Sequence, residues 1–308
     1  MAEVTVSVQA EPRDRQHWLA LARRLEADGY HALLIGDHPA DGASPWPALG
    51  AAAAVTSTLR LGTYVLQAGV REPAHIAADA ATLDLLAPGR VLLGLGAGHT
   101  PQEWHDIGRK RPSPGERARR LVESVEVVAR LLRGETVTVT GRHVSANGAA
   151  LSGLPVGAGR VALVVGGGHP DVLVVAAALA DVVALSGLGR TLPDGHHHEV
   201  RWSEQHLRTQ LQLIRAEAER TGNSPAVEIL VQQAVRTDDR AAALDDLRAR
   251  LPGATAEDLT TTPYLLIGTA EEMAAQLHRQ ADRYGLTRYV IREPALDQMG
   301  PALTVLRH

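Results

Sequence analysis

Residues 59–99, LRLGTYVLQAGVREPAHIAADAATLDLLAPGRVLLGLGAGH, leave few folds open to the chain. Residues 59–65 are a short apolar run, as a strand covered on both faces requires. Pro73 suits the first turn of a helix, where its missing N–H costs nothing, and Ile76, Ala80 and Leu83 follow at helical spacing. Ala87-Pro88-Gly89 stops that helix. Residues 91–95 are a second strand, which runs into Gly94, Gly96 and Gly98. A crossover this long joins parallel strands and is right-handed almost without exception. Glycines at a strand's carboxyl end let a ligand approach the backbone closely.

The same alternation runs through the chain. Strands are expected at 4–8, 32–35, 59–65, 91–95, 161–165, 182–185, 227–235 and 289–291. Helices fall between them, two of them opened by capping boxes at Ser113-Pro114-Gly115-Glu116 and Thr269–Glu272. Residues 137–140 and 143–145, joined at Gly141-Arg142, form a β-hairpin excursion after the fourth helix, because a polar, glycine-rich loop at 147–159 follows before the next core strand. Residues 99–112 and 186–202 are expected to be long polar loops. Eight core strands alternating with helices mean a closed parallel barrel or a large doubly wound sheet. The expected class is α/β, a (β/α)8 TIM barrel with insertions, and no composition break divides residues 1–308 into more than a single domain.

Composition narrows the function classes. The net charge of -4 gives no reason to expect nucleic acid or an anionic membrane as partner. No apolar run is long enough to span a bilayer, and a strand at 4–8 leaves no signal peptide ahead of it, so a cytoplasmic location is expected. Cysteine is absent, which removes disulfides and thiol chemistry. Lys110 is the one lysine, and its neighbours Arg109 and Arg111 place it in a solvated run.

In a barrel the site lies at the carboxyl ends of the strands. That rule selects Asp37 and His38 after strand two, Gln67 and Ala68 after strand three, Gly96, Gly98 and Thr100 after strand four, Gly166, Gly167, Gly168 and His169 after strand five, the histidine loop after strand six, and Arg292-Glu293 after strand eight. His38 is the candidate for proton transfer, because histidine titrates near neutrality; a histidine that merely caps the loop is the alternative. Asp37 could bind a ring edge, polarise a neighbour or cap the next helix. The Gly166–Gly168 turn entering a helix is either a phosphate site or an ordinary tight turn. Gly94-Leu95-Gly96-Ala97-Gly98 lacks the dinucleotide spacing and follows strand four, so it is better taken as a flat backbone wall beside a planar ring. His196-His197-His198 is no metal site, since adjacent side chains cannot easily converge on one ion; it is expected to belong to a mobile lid. His17, His31, His75 and His278 are expected at the surface, and Arg142 and Arg160 in solvent.

The order RLGT-V, R-P, TLD-L, GR and LGLGAG, with Gly36-Asp37-His38 before it and Val165–Gly168 after it, resembles the bacterial-luciferase-like superfamily over nearly the whole chain. Its members are flavin and deazaflavin oxidoreductases, and the Asp-His pair is most like those that use coenzyme F420. The resemblance implies that Asp37 contacts the ring system and that His38 protonates or orients the reacting centre. It implies a non-prolyl cis peptide behind the ring near Val65, Leu66 and Gln67. It also implies hydride transfer between F420 and an organic small-molecule substrate. An FMN-dependent monooxygenase served by a partner reductase is the alternative, and a non-catalytic flavin-binding barrel the third. Homodimers are common in the superfamily. After strand four, where some deazaflavin members carry a carboxylate, this chain has Ala97 and its neighbours, and Glu103 stands further along the loop. With no phenylalanine, ring stacking would fall to Trp46, Trp104, Trp202, Tyr64 or aliphatic side chains.

Overall fold

The structure, a computed structural model, describes residues 3–39, 42–157, 160–191, 198–251 and 254–307. Eight parallel strands close a barrel: Thr5–Gln9, Ala32–Ile35, Arg60–Gln67, Val91–Gly96, Ala162–Gly166, Val182–Leu185, Ala226–Leu230 and Arg288–Arg292, numbered one to eight in chain order. Strand eight closes on strand one from Thr5 opposite Arg288 to Gln9 opposite Arg292. Closure excludes the doubly wound sheet, in which the two edge strands stay apart.

Helices pack on the outside, and local chemistry sets their starts. Proline occupies the first turn of Pro45–Ala53, Pro73–Leu86, Pro114–Leu132 and Pro170–Leu179. Both capping boxes form, Ser113 with Glu116 and Thr269 with Glu272. Alternate strand residues face opposite ways, giving two apolar layers. Ala32, Leu34, Leu92, Val164, Val182, Leu230 and Val290 fill the barrel, while Leu33, Ile35, Leu66, Leu93, Leu95, Val165 and Ile291 pack under the helices. Strands three and four approach so closely that a Cβ at Gly94 would strike the Thr63 carbonyl oxygen. Thr63 Oγ1 donates to Gly94 O at 2.8 Å and accepts from Gly94 N at 3.0 Å.

Long-range pairing changes several local expectations. The hairpin after the helix Pro114–Leu132 is Val137–Thr140 with Ser145–Ala149. The run 227–235 divides: Ala226–Leu230 belongs to the barrel, and Gln233–Arg236 pairs in parallel with Leu265–Gly268 outside it. The loop 99–112 contains the helix Pro101–Asp106, and the loop 186–202 contains the antiparallel strands Leu188–Thr191 and His198–Val200. Arg160 is only partly in solvent: it holds the fully buried Asp84 at 2.6 Å. His17 bonds Glu293 at 2.8 Å, and His31 lies half-buried beside Arg288, its pKa pushed down to about 4 by burial and then by Arg288 and Arg60. Among the described residues no helix is long and apolar enough to cross a membrane.

Candidate active site

A cavity of about 960 Å³ opens at the carboxyl ends of the barrel strands. His38, Asp37, Val65, Gln67, Gly96, Gly98, Thr100 and Gly166–Gly168 all line it. Leu66 does not: it is fully buried under the helices. Strand three turns Val65 inward and Leu66 outward, so of the stretch Val65, Leu66 and Gln67 only Val65 and Gln67 line the cavity.

Strand two runs into Gly36-Asp37-His38, and Asp37 is tied down by charge. Asp37 is 4% exposed. Its Oδ2 accepts from Arg71 Nε at 2.8 Å and from the Gln67 backbone N–H at 2.9 Å, and Oδ1 accepts from Arg71 Nη2 at 2.7 Å. A bidentate guanidinium–carboxylate pair fixes orientation as well as charge. Asp37 therefore locks the end of strand three to the end of strand two.

His38 meets a partner 65 residues away. Glu103, 3% exposed, lies on the short helix 101–106, and its Oε1 is 2.7 Å from His38 Nδ1. Gln67 Nε2 donates to the other carboxylate oxygen. The hydrogen bond to Glu103 raises the His38 pKa against the opposing effect of burial, and the charges of Glu103, Glu11 and Asp37 add to it. Ala97 and its neighbours carry no acid, and the carboxylate beside His38 is Glu103, which the helix begun by Pro101 folds back over the barrel. The signal was present in Thr100-Pro101, a proline at the first helical position with an acid in the first turn.

One wall of the cavity is bare backbone. The Tyr64–Val65 peptide is cis, at the near edge of the stretch where the resemblance implied one. Gln9 Nε2 donates to the Tyr64 carbonyl at 2.8 Å. A Cβ at Gly96 would run into Val65 Cγ2, and one at Gly98 into the Gln67 side chain. Gly98 also sits at φ 70°, in the left-handed region. His169 caps the helix after strand five by accepting from Asp171 N at 3.2 Å. Among the aromatic candidates Tyr64 lines the cavity, whereas Trp46, Trp104 and Trp202 do not.

Positive charge surrounds this wall. Arg117 is 8% exposed, and its Nε and Nη1 donate to the carbonyls of Gly98 and Pro112 at 2.9 and 2.7 Å. Burial and the neighbouring Arg111 push its pKa down to about 10. Arg111 Nε is buried without a hydrogen-bond partner. His99 stands edge-on to His38 and to His198, with ring centroids 5.7 and 4.5 Å away, and its pKa falls to about 4 through burial first and those histidines next. His196 and His197 lie outside the described residues. Among the described residues no group of three or more His, Cys, Asp or Glu side chains is placed to hold a metal.

The luciferase-like monooxygenase family model matches residues 1–299. Over 195 residues the chain is 36% identical to an F420-dependent glucose-6-phosphate dehydrogenase of Beutenbergia cavernae, covering 60% of this chain and 56% of the relative. Over 121 residues it is 38% identical to a 4-hydroxyprotoasukamycin monooxygenase of Streptomyces nodosus subsp. asukaensis, covering 38% and 32%. The chain thus spans little more than half of the first relative and a third of the second. An F420-dependent secondary alcohol dehydrogenase, solved with an F420-acetone adduct, shares the fold with a TM-score of 0.74 at 19% identity, covering 98% of this chain and 97% of that one. A long-chain alkane monooxygenase shares it with a TM-score of 0.73 at 14% identity, covering 99% and 92%. The chain belongs to the luciferase-like monooxygenase family.

Proposed function

We propose that this luciferase-like family member is an oxidoreductase that moves a hydride between coenzyme F420 and an organic substrate, with His38 handling the proton. The observation that carries the proposal is the His38–Glu103 pair standing at the mouth beside a backbone wall. The wall suits a planar ring because it is backbone: Gly96 and Gly98 carry no Cβ, which lets Val65 and the Gln67 side chain pack directly against it. Gly166–Gly168 give the same cavity a backbone edge, and Arg117 and Arg111 bring charge to it for an anionic cofactor tail. F420-dependent relatives support the choice of a deazaflavin. When bound, the deazaflavin supplies the ring carbon that accepts or gives hydride.

His38 then has a defined task. Glu103 holds Nδ1 and leaves Nε2 for the cavity. In the oxidising direction Nε2 takes the proton of a substrate hydroxyl, and the Glu103 carboxylate stabilises the imidazolium that forms. In the reducing direction the same imidazolium gives the proton back. Asp37, Arg71 and Gln67 hold the frame in which this happens.

The test is steady-state F420 reduction with a panel of secondary alcohols and sugar phosphates, run on wild type and His38→Ala. Turnover by wild type, lost roughly 10²–10⁴-fold in the variant, is expected for a general acid–base. Turnover that survives in His38→Ala would remove the role assigned to His38. Oxygen consumption with FMN and a partner reductase, and none with F420, would favour the monooxygenase function that the relative from Streptomyces carries.

A further inference from the structure

Arg292 is a cavity-lining cation that the chemistry above leaves unused. It ends strand eight, and in the closed order of strands one, eight, seven, six, five, four, three, two, strand eight lies opposite strand four. Arg292 therefore faces the mouth from the side across the axis from Gly96 and its bare wall. Its neighbour Glu293 cannot neutralise it, because that carboxylate is engaged by Arg13 at 2.6 Å and His17 at 2.8 Å. The hydrogen bond that Arg292 does make is neutral, from Nη1 to Gln232 Oε1 at 3.2 Å. Gln232 is itself fixed, since its Nε2 donates to Ser186 O at 2.6 Å. Among the described residues no carboxylate is in ion-pair distance of Arg292. The two acids that line the cavity are both spoken for, Asp37 by Arg71 and Glu103 by His38.

An exposed guanidinium at the cavity mouth that bonds a fixed neutral amide, and that no carboxylate pairs among the described residues, is placed to receive an oxyanion. The cofactor wall is on strands three to five, and Arg117, on the helix Pro114–Leu132, bonds Gly98 O on that side, so Arg292 on strand eight stands across the barrel from both. We propose that Arg292 is the anchor for an oxyanion carried by the substrate, a phosphate or a carboxylate, and so restricts the enzyme to anionic substrates. The proposal rests on the assignment of the wall to F420, since it takes Arg292 to be on the substrate side. Binding the anion there would place the rest of the substrate between Arg292 and the wall, within the same cavity as His38.

The experiment is calorimetric titration of F420-loaded protein with inorganic phosphate and, separately, with succinate. It is run on wild type, Arg292→Gln, Arg292→Lys and Arg117→Gln, each first titrated with F420 and checked by circular dichroism. The expected result is saturable binding of one anion to wild type, weakened roughly tenfold to a hundredfold in Arg292→Gln, the loss of one charge-assisted contact. Arg292→Lys should recover part of that loss, and F420 affinity should stay within about twofold of wild type in both. Phosphate alone binding would assign a phosphorylated substrate, and succinate alone a carboxylate. Equal anion binding by wild type and Arg292→Gln would overturn the proposal. So would a loss confined to Arg117→Gln, or an F420 affinity that falls in step in Arg292→Gln. Should neither F420 nor FMN bind, titration of the unloaded proteins decides: an anion still dependent on Arg292 keeps the anchor while the cofactor assignment falls.

Discussion

Replacing Glu103 by glutamine preserves the shape of the clamp on His38 and removes its charge. Glu103 is 3% exposed and its bond to His38 Nδ1 spans 2.7 Å, while the His38 side chain, 44% exposed, lets solvent screen part of the interaction. That bond is the largest cause of the raised His38 pKa. The raised value means that the ion pair contributes fully to stability below the ordinary 6.5 and loses that contribution as pH rises through the folded value. A charge-assisted hydrogen bond exceeds a neutral one by about 1–1.5 kcal/mol. Glu103→Gln should therefore lower kcat/KM by roughly tenfold through a less stable imidazolium. It should also move the His38 titration midpoint downward, and the wild type's advantage in Tm should shrink as pH rises. The assay is NMR titration of the His38 ring protons alongside a pH–rate profile for both proteins. A His38 midpoint unchanged in Glu103→Gln would refute the reasoning, whatever the activity did.

Other perturbations test the frame. Gly96→Ala, whose Cβ would run into Val65 Cγ2, should cost about 1–3 kcal/mol in stability and weaken cofactor binding while the far-ultraviolet circular dichroism stays native; unchanged affinity in a fluorescence titration would mean that the wall is not the cradle. Glu26 accepts from the backbone N–H groups of Ser57, Thr58 and Leu59, which depress its pKa to about 2 against the opposing effect of burial, and so pins helix 15–27 to the start of strand three. Its stabilisation is present above the ordinary 4.5 and is lost as pH falls toward 2. Discounted for solvent screening, Glu26→Gln should cost about 1–2 kcal/mol at neutral pH, and the gap in urea stability should narrow by pH 3. Arg160→Ala leaves the buried Asp84 with the Gly89 N–H at 2.8 Å and no guanidinium; a loss of about 1–3 kcal/mol in Tm-derived stability is expected, below that of a fully buried pair because Arg160 is partly exposed.

What could be seen in the sequence was local or periodic. The capping boxes at Ser113 and Thr269 and the proline at Pro73 are signals within one turn, and each lies where it was expected, whereas the helix that Pro101 begins was read as loop. The barrel followed from strand and helix alternation, which closure of strand eight on strand one bears out. What escaped was pairing across long separations. Nothing near residue 233 announces that Gln233–Arg236 leaves the barrel to pair with Leu265–Gly268. His38 and Asp37 could be picked by the strand-end rule, but their partners Glu103 and Arg71 arrive from other loops, and only the fold brings them within bonding distance. Arg160 appeared solvated for the same reason, since Asp84 is 76 residues away.

The central claim is a deazaflavin seated on the glycine wall beneath His38, and fluorescence titration of the purified protein with oxidised F420 and, separately, with FMN tests it most directly. Micromolar binding of F420, retained in His38→Ala and weakened in Gly96→Ala, is the result the account predicts. Binding of FMN alone, or of neither cofactor, would contradict it.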